Sequence, residues 1–296
     1  MKSATAVPQE KPESVLGDVM TLVKARLSLL VLITTLVGFL LGWRGPLDWL
    51  LLSVTLLGTA LCAGGAAALN QWWERDLDAL MKRTRTRPLP SQRMQPLDAL
   101  LFGLFFCMTG VAILGLFANA GAAFLAFATI AIYILVYTPM KRRSSLNTLV
   151  GAVPGALPPL IGWVAARGNY DLEGCLLFAV LWFWQMPHFL AIAWMYREDY
   201  AQAGCVMITS NDPEGEVTSR QALWYSFCLL IVTLLPGLLG FNSPLYFFAA
   251  LVLGTAFCGY AMNFFRHRDR SAARRLFFCS ILYLPLLLGI LVATAR

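Results

Sequence analysis

The residues best suited to chemistry lie between Asn70 and Pro90. Asn70, Glu74 and Asp78 recur at every fourth position, and Arg83, Arg85 and Arg87 follow before Pro88. Four residues on an α-helix advance a side chain by only about 40°, so one amide and two carboxylates share a stripe while Asp76 points elsewhere. Two carboxylates about 4 Å apart repel by roughly 4 kcal/mol at an effective dielectric of about 20, and a cation between them removes that cost. Hard oxygen donors of this kind suit Mg²⁺, which is commonly shared between one or two carboxylates and a substrate phosphate. The arginines that follow stand where they could hold the rest of such a phosphate. A solvated, salt-bridged loop also carries acids and bases, but it has no need of the four-residue interval. Nor does it need Arg87-Pro88-Leu89-Pro90 to stop the helix sharply.

The stripe emerges from an almost unbroken apolar run, Leu47 to Leu69, where a membrane span reaches its polar boundary. The whole chain agrees with that setting: of 296 residues 58% are hydrophobic and 13% charged, and the mean hydropathy is +0.67. This composition excludes a soluble enzyme. Stretches near or above the length of a bilayer span recur at about 28–44, 47–69, 98–117, 121–138, 147–166, 173–195, 221–240, 244–264 and 276–294. The expectation is an all-α, polytopic membrane protein of nine helices. A mobile cytoplasmic tail over about 1–20 precedes one membrane domain over 21–296, since no long polar segment separates the spans.

The net charge of +7 does not point to nucleic acid, because the basic residues gather on alternate loops. One side has Lys2, Lys11, Lys24, Arg26, the Arg75–Arg93 loop, Lys141-Arg142-Arg143, Arg197, Arg220 and Arg266 through Arg275. The other has only Arg44, Arg167 and Arg296. By the positive-inside rule the N-terminus is cytoplasmic and the C-terminus, after nine spans, is outside. The basic face also draws an anionic substrate. Seven scattered cysteines show no metal spacing and read as small core residues. The N-terminus resembles neither a transit peptide nor a cleavable signal, so a bacterial cytoplasmic membrane fits.

Other chemistry-bearing positions follow in order. Lys24 is a surface anchor or a diphosphate contact. Ala63-Gly64-Gly65-Ala66-Ala67-Ala68 forms a small-residue surface that admits a neighbouring helix. Tyr133 and Tyr137 end the fourth span before Lys141. The fifth span carries Gly151, Pro154, Gly155, Pro158, Pro159 and Gly162, interruptions tolerated where backbone is buried in protein or lines a cavity. The sixth carries Trp182, Trp184, Gln185, Pro187 and His188 and runs on to Tyr196-Arg197-Glu198-Asp199-Tyr200. A histidine within a span is a functional candidate. On a straight helix His188 and Asp199, eleven residues apart, would share a face. The last three spans show no comparable cluster, and His267 reads as solvated.

Asn70-x-x-x-Glu74-x-Asp76-x-Asp78 followed by Met81-x-Arg83-Thr84-x-x-Arg87-Pro88-Leu89 resembles the first acidic motif of the UbiA superfamily of intramembrane prenyltransferases, in its haem-modifying branch. Lys24-x-Arg26, Tyr137-Thr138 with Lys141-Arg142, Asn147 through Pro158-Pro159-Leu160-Ile161-Gly162-Trp163, Trp184-Gln185-x-Pro187-His188-Phe189 and Tyr196-Arg197-x-Asp199-Tyr200-x-x-Ala203-Gly204 agree with it. The chain departs from many members in two places. Ala203 stands where a second aspartate is usual, and Glu74 where quinone-directed relatives have aspartate.

The resemblance implies a helix bundle around a central cavity, transferring farnesyl from farnesyl diphosphate to the vinyl group of haem b, with water addition. It implies Mg²⁺ on Asn70, Glu74 and Asp78 with Asp199 across the bundle, and diphosphate on Lys24, Arg26, Arg83, Arg87, Lys141 and Arg142. Haem would lie against His188, as iron ligand or propionate partner, and Trp184. Trp72, Trp73, Tyr137 and Trp184 are candidates to stabilise an allylic cation. Haem A synthase or terminal-oxidase assembly proteins are the implied partners. A quinone or chlorin precursor as acceptor, and a non-catalytic haem-handling transporter, are the competing readings.

Overall fold

A computed structural model describes residues 14–81 and 83–295. Lys2, Lys11, Arg296 and most of the expected tail lie outside the described residues. Among the described residues nine helices are long and apolar enough to cross a membrane. In chain order they are α2 (Ala25–Gly42), α3 (Trp49–Leu80), α4 (Pro96–Ala118), α5 (Ala120–Met140), α6 (Asn147–Arg167), α7 (Leu172–Met195), α9 (Glu216–Leu238), α10 (Pro244–His267) and α11 (Arg270–Ala293). Two short helices, α1 (Val15–Leu22) and α8 (Arg197–Gln202), lie outside the spans. An isolated bridge between Asn242 and Ala295 is the sole β pairing among the described residues.

Helix starts are written in the turn residues. Asp48, Asn119, Asp171, Ser243 and Asp269 each accept a hydrogen bond from the backbone N–H three residues on, satisfying a donor the helix leaves orphaned. Of the stretch expected as a tail, residues 14–20 are described and belong to α1 and its cap. Ser14 caps α1, and Asp18, on its buried side, pairs with Arg93 of the loop after α3 at 2.8 Å. This pair ties α1 to the loop that follows the acidic stripe.

The most buried span is α6, despite Pro154, Pro158 and Pro159 in its interior. Its close neighbour is α2, and small residues make the approach possible. A Cβ on Gly162 would overlap the Thr35 carbonyl oxygen, and one on Gly38 would overlap that of Pro159. Gly162→Ala is therefore expected to destabilise the detergent-solubilised protein by about 1–3 kcal/mol through overpacking. Gly259→Ala, where a Cβ meets nothing within 4 Å, should leave the Tm unchanged. Equal melting curves for the two variants would refute this account of the α2–α6 contact.

Candidate active site

A cavity of about 550 Å³ opens where α3 and α5 end and α2 and α6 begin. The long helix α3 forms one wall from Thr59 to Asp78, about 28 Å of helix at 1.5 Å per residue. Along the wall Cys62, Ala63, Ala66 and Ala67 recur at helical spacing and give way to Glu74 and Asp78. One helix face thus joins an apolar chamber to an acidic mouth.

The stripe is brought together as its spacing requires: Asn70 is wholly buried, Glu74 is 7% exposed and Asp78 3%. Asp76 faces solvent. Each member of the stripe meets a cation from a different segment. Lys24 Nζ donates to Asn70 Oδ1 at 2.6 Å and to the Tyr133 hydroxyl at 3.2 Å. Lys141 Nζ lies 2.7 and 2.9 Å from the two oxygens of Glu74. Arg87 Nη1 donates to Asp78 Oδ2 at 2.7 Å. The result is three polar rungs, one per turn of α3.

Local backbone devices set these rungs. Lys24 sits in the left-handed region, φ 48° and ψ 52°, a costly conformation for a residue with a side chain. It turns the chain between α1 and α2. Gln71, next to Asn70, holds that turn by donating to the carbonyls of Thr21 and Leu22, both at 2.8 Å. Thr84 donates to the Asp78 carbonyl at 2.9 Å and folds the arginine loop back on the end of α3. In α5 the last turns widen into a π-turn, Ile132–Tyr137, a feature frequent at functional sites. This turn carries Tyr133 and Tyr137 into the cavity wall, stacked at 5.6 Å, and Lys141 Nζ lies 4.8 Å from the Tyr137 ring centre.

Burial, then repulsion from Lys141 and Arg87, pulls the Lys24 pKa down to about 7. Burial also works against the Lys141 ammonium. The neighbouring Tyr137 and Glu74 outweigh it and hold this lysine above the usual range. An incoming anion would meet a charged Lys141 and Arg87, and a Lys24 poised to take up a proton.

Two carboxylates and an amide oxygen match what Mg²⁺ takes when it keeps waters and shares substrate phosphates. Among the described residues no group of three or more His, Cys, Asp or Glu is gathered. A cage built wholly from protein ligands is not what this site offers, whereas a bridging Mg²⁺ fits its donors.

Of the basic residues expected here, Lys24, Arg83, Arg87 and Lys141 line the cavity. Arg26 and Arg142 are exposed and lie outside its wall, because the residue beside or two along from an inward lysine points away from it. Asp199 is also outside the wall, although Tyr200 lines it. The sixth span does not continue straight: α7 ends at Met195, Tyr196 breaks it, and α8 begins at Arg197. The shared face expected for His188 and Asp199 therefore does not form. Trp72, Trp73 and Trp184 are not wall residues; Tyr133, Tyr137 and Phe189 are. Arg142→Ala is accordingly expected to change kcat/KM by less than about threefold, and Arg87→Ala to lower it by about 10²–10³. Similar losses from both variants in a steady-state assay of pyrophosphate release would sink this division.

His188 lines the opposite wall with Gln185, Phe189 and Ile192. Trp184 stacks on its ring at 5.0 Å. Sequence alone named Thr84 and Tyr133 without giving either a role, and it left unmarked Gln71 and also Ser280, which touches both Trp184 and His188. Gln71 stood beside the stripe and Tyr133 four residues before Tyr137, so each had a weak positional signal. Ser280 lies in an apolar span and had none.

Residues 31–282 match the UbiA prenyltransferase family. The chain is 43% identical over 284 residues to the protoheme IX farnesyltransferase of Solibacter usitatus, covering 93% of this chain and 97% of that protein. It is 45% identical over 277 residues to the enzyme of the same name from Opitutus terrae, covering 93% and 94%. Among solved structures, a digeranylgeranylglyceryl phosphate synthase superposes with a TM-score of 0.82 at 15% identity, covering 94% of this chain and 98% of that one. A UbiA homologue from Archaeoglobus fulgidus, bound to DMAPP and Mg²⁺, superposes with a TM-score of 0.67 at 15% identity, covering 92% and 98%. The extent of the family match and the identity to full-length relatives establish the assignment, and the chain belongs to the UbiA prenyltransferase family.

Proposed function

We propose that this protein transfers the farnesyl group of farnesyl diphosphate to a vinyl group of haem b, with addition of water. The observation that carries this reading is a single cavity whose acidic and basic mouth continues into an apolar chamber with His188 in its wall. The names of its relatives from Solibacter usitatus and Opitutus terrae support the same substrates. His188 favours haem over a quinone or chlorin precursor as acceptor, and the carboxylate–cation rungs favour catalysis over transport.

Glu74, Asp78 and Asn70 would hold Mg²⁺, with Asp199 as a further acidic group of the expected set, and this ion would supply Lewis-acid neutralisation of the diphosphate. Lys141, Arg87, Arg83 and Lys24 place positive charge around the mouth, where the leaving group gathers negative charge. Arg26 and Arg142 add to the field that attracts the anion from the surface. As the C1–O bond breaks, its electron pair leaves with diphosphate, and the π faces of Tyr133 and Tyr137 flank the allylic cation. The vinyl π pair then forms the new C–C bond. Water adds to the resulting cation and loses a proton, giving the hydroxyethylfarnesyl substituent. The apolar wall from Cys62 to Ala67 accommodates the prenyl chain and keeps bulk water from the cation.

The protein would work in a bacterial cytoplasmic membrane as one domain, N-terminus in the cytoplasm and C-terminus outside. Its product would pass to haem A synthase or to terminal-oxidase assembly. Mass spectrometry of haem from membranes overproducing the protein tests the reaction. A hydroxyethylfarnesyl adduct is expected. A folded protein supplied with Mg²⁺, haem b and farnesyl diphosphate that leaves haem unchanged would overturn it and direct attention to quinone precursors.

A further inference from the structure

The wall opposite the acidic stripe is held by one residue of α11. Ser280 is fully buried and makes three polar contacts. Its backbone carbonyl accepts from Trp184 Nε1 at 2.8 Å. Its hydroxyl lies 2.6 Å from the Phe277 carbonyl and 2.7 Å from His188 Nδ1. A hydroxyl has one proton to give. Were it given to His188, two oxygen acceptors would face each other at 2.6 Å without a hydrogen between them. The proton therefore goes to the Phe277 carbonyl, and Ser280 Oγ accepts from His188 Nδ1–H. The imidazole is also clamped on its faces, by Trp184 at 5.0 Å and by Phe277 at 5.0 Å. The hydrogen bond occupies the Nδ1 edge of this cavity-lining ring and the two stacks occupy its faces, which leaves the Nε2 edge without a hydrogen-bond partner in the protein.

We infer that Ser280 is a positioning residue that fixes His188 as the Nδ1–H tautomer, leaving the Nε2 lone pair to bind the iron of the haem substrate. Resting on the haem reading above, this resolves His188 as an iron ligand rather than a propionate donor: a propionate needs an N–H from the ring, and this tautomer offers the cavity none. Iron needs a lone pair, and a ligating histidine usually passes its other N–H to a fixed acceptor that sets orientation and basicity. The Ser280–Phe277 carbonyl relay is such an acceptor, built in a membrane span from a hydroxyl instead of a carboxylate.

The test uses the full-length protein in detergent with haem b and no farnesyl diphosphate, so that binding is read without turnover. The first measurement is the ¹⁵N NMR signature of His188 in the ligand-free protein. A protonated Nδ1 is expected, and a protonated Nε2 would overturn the proposal without any variant. The second compares haem titrations and the ferrous iron–histidine stretch by resonance Raman. Ser280→Ala should weaken haem b binding about tenfold and lower the stretch frequency. The variant keeps the backbone carbonyl, and with it the Trp184 contact. Ser280→Thr, which retains the hydroxyl, should restore both readouts. A merely structural role would not move the stretch. Wild-type affinity and stretch in Ser280→Ala, alongside loss of the stretch in His188→Ala, would overturn the role of Ser280 and leave the haem reading intact. An unchanged spectrum in His188→Ala would remove the ligand assignment and the relay with it.

Discussion

Asp78→Asn is expected to lower farnesyl transfer by about 10³-fold while leaving a folded, monodisperse protein. The substitution keeps the shape of the side chain and one oxygen for Arg87, now 2.7 Å away. It removes the negative charge that would hold Mg²⁺ against the diphosphate. Losing one preorganised electrostatic group at a reacting centre typically costs 10²–10³ in kcat, and losing the metal's neutralisation adds to that. EDTA should silence the wild type to the level of Asp78→Asn, and excess Mg²⁺ should restore only the wild type. The measurement is pyrophosphate release at saturating farnesyl diphosphate, together with the mass of extracted haem. Wild-type turnover by Asp78→Asn, or by the wild type in EDTA, would remove the acidic stripe from the chemistry.

The second large effect concerns Lys141. Glu74 is buried against it, and Lys141→Met leaves that carboxylate without its partner. Breaking a buried pair by removing one member costs about 3 kcal/mol or more, so a marked fall in Tm is expected. Activity should fall by about 10²–10³, since in the proposed reaction the same ammonium would face the leaving diphosphate. The double variant Lys141→Met with Glu74→Gln removes the stranded charge and should recover most of the lost stability, but none of the lost activity. That split shows that the Lys141–Glu74 rung as a whole does chemical as well as structural work. Recovery of both properties in the double variant would mean that Lys141 serves only to neutralise Glu74, and that the rungs are not the diphosphate site.

The two experiments probe different sides of one arrangement. In the ligand-free protein the cations and acids of two rungs satisfy each other, and in the third Lys24 donates to the amide oxygen of Asn70. Substrate and Mg²⁺ would exchange these partners, the acids turning to metal and the bases to phosphate. A site whose charges are paired at rest avoids the cost of isolated buried charge and is already assembled when diphosphate arrives.

Much of this protein was determined by sequence alone, for physical reasons that are local. The spans were legible because a bilayer demands about twenty apolar residues per helix, and the nine expected stretches match nine spanning helices among the described residues. The stripe was legible because the four-residue interval is a property of a single helix, and Asn70, Glu74 and Asp78 needed nothing beyond α3 to align. The glycines and prolines of α6 were legible as cavity-shaping for the same reason.

What sequence left undecided involved two or more elements. Spacing offered Lys24 and Arg26, or Lys141 and Arg142, on equal terms; only the turn held by Gln71 and the end of α5 chose Lys24 and Lys141 for the wall. The break at Tyr196 moved Asp199 off the face of His188, because a helix's continuation depends on what its end packs against. Widening of α5 into a π-turn put Tyr133 beside Lys24. Ser280 is the clearest case. An isolated serine in an apolar span carries no periodic signal, and its meaning arises only when α11 packs on α7 and sets one hydroxyl between a carbonyl and an imidazole. Periodicity along one helix fixes which residues share a face, but which face meets which partner is settled by tertiary packing, and in this protein the choice of cations and the tautomer of His188 both follow from it.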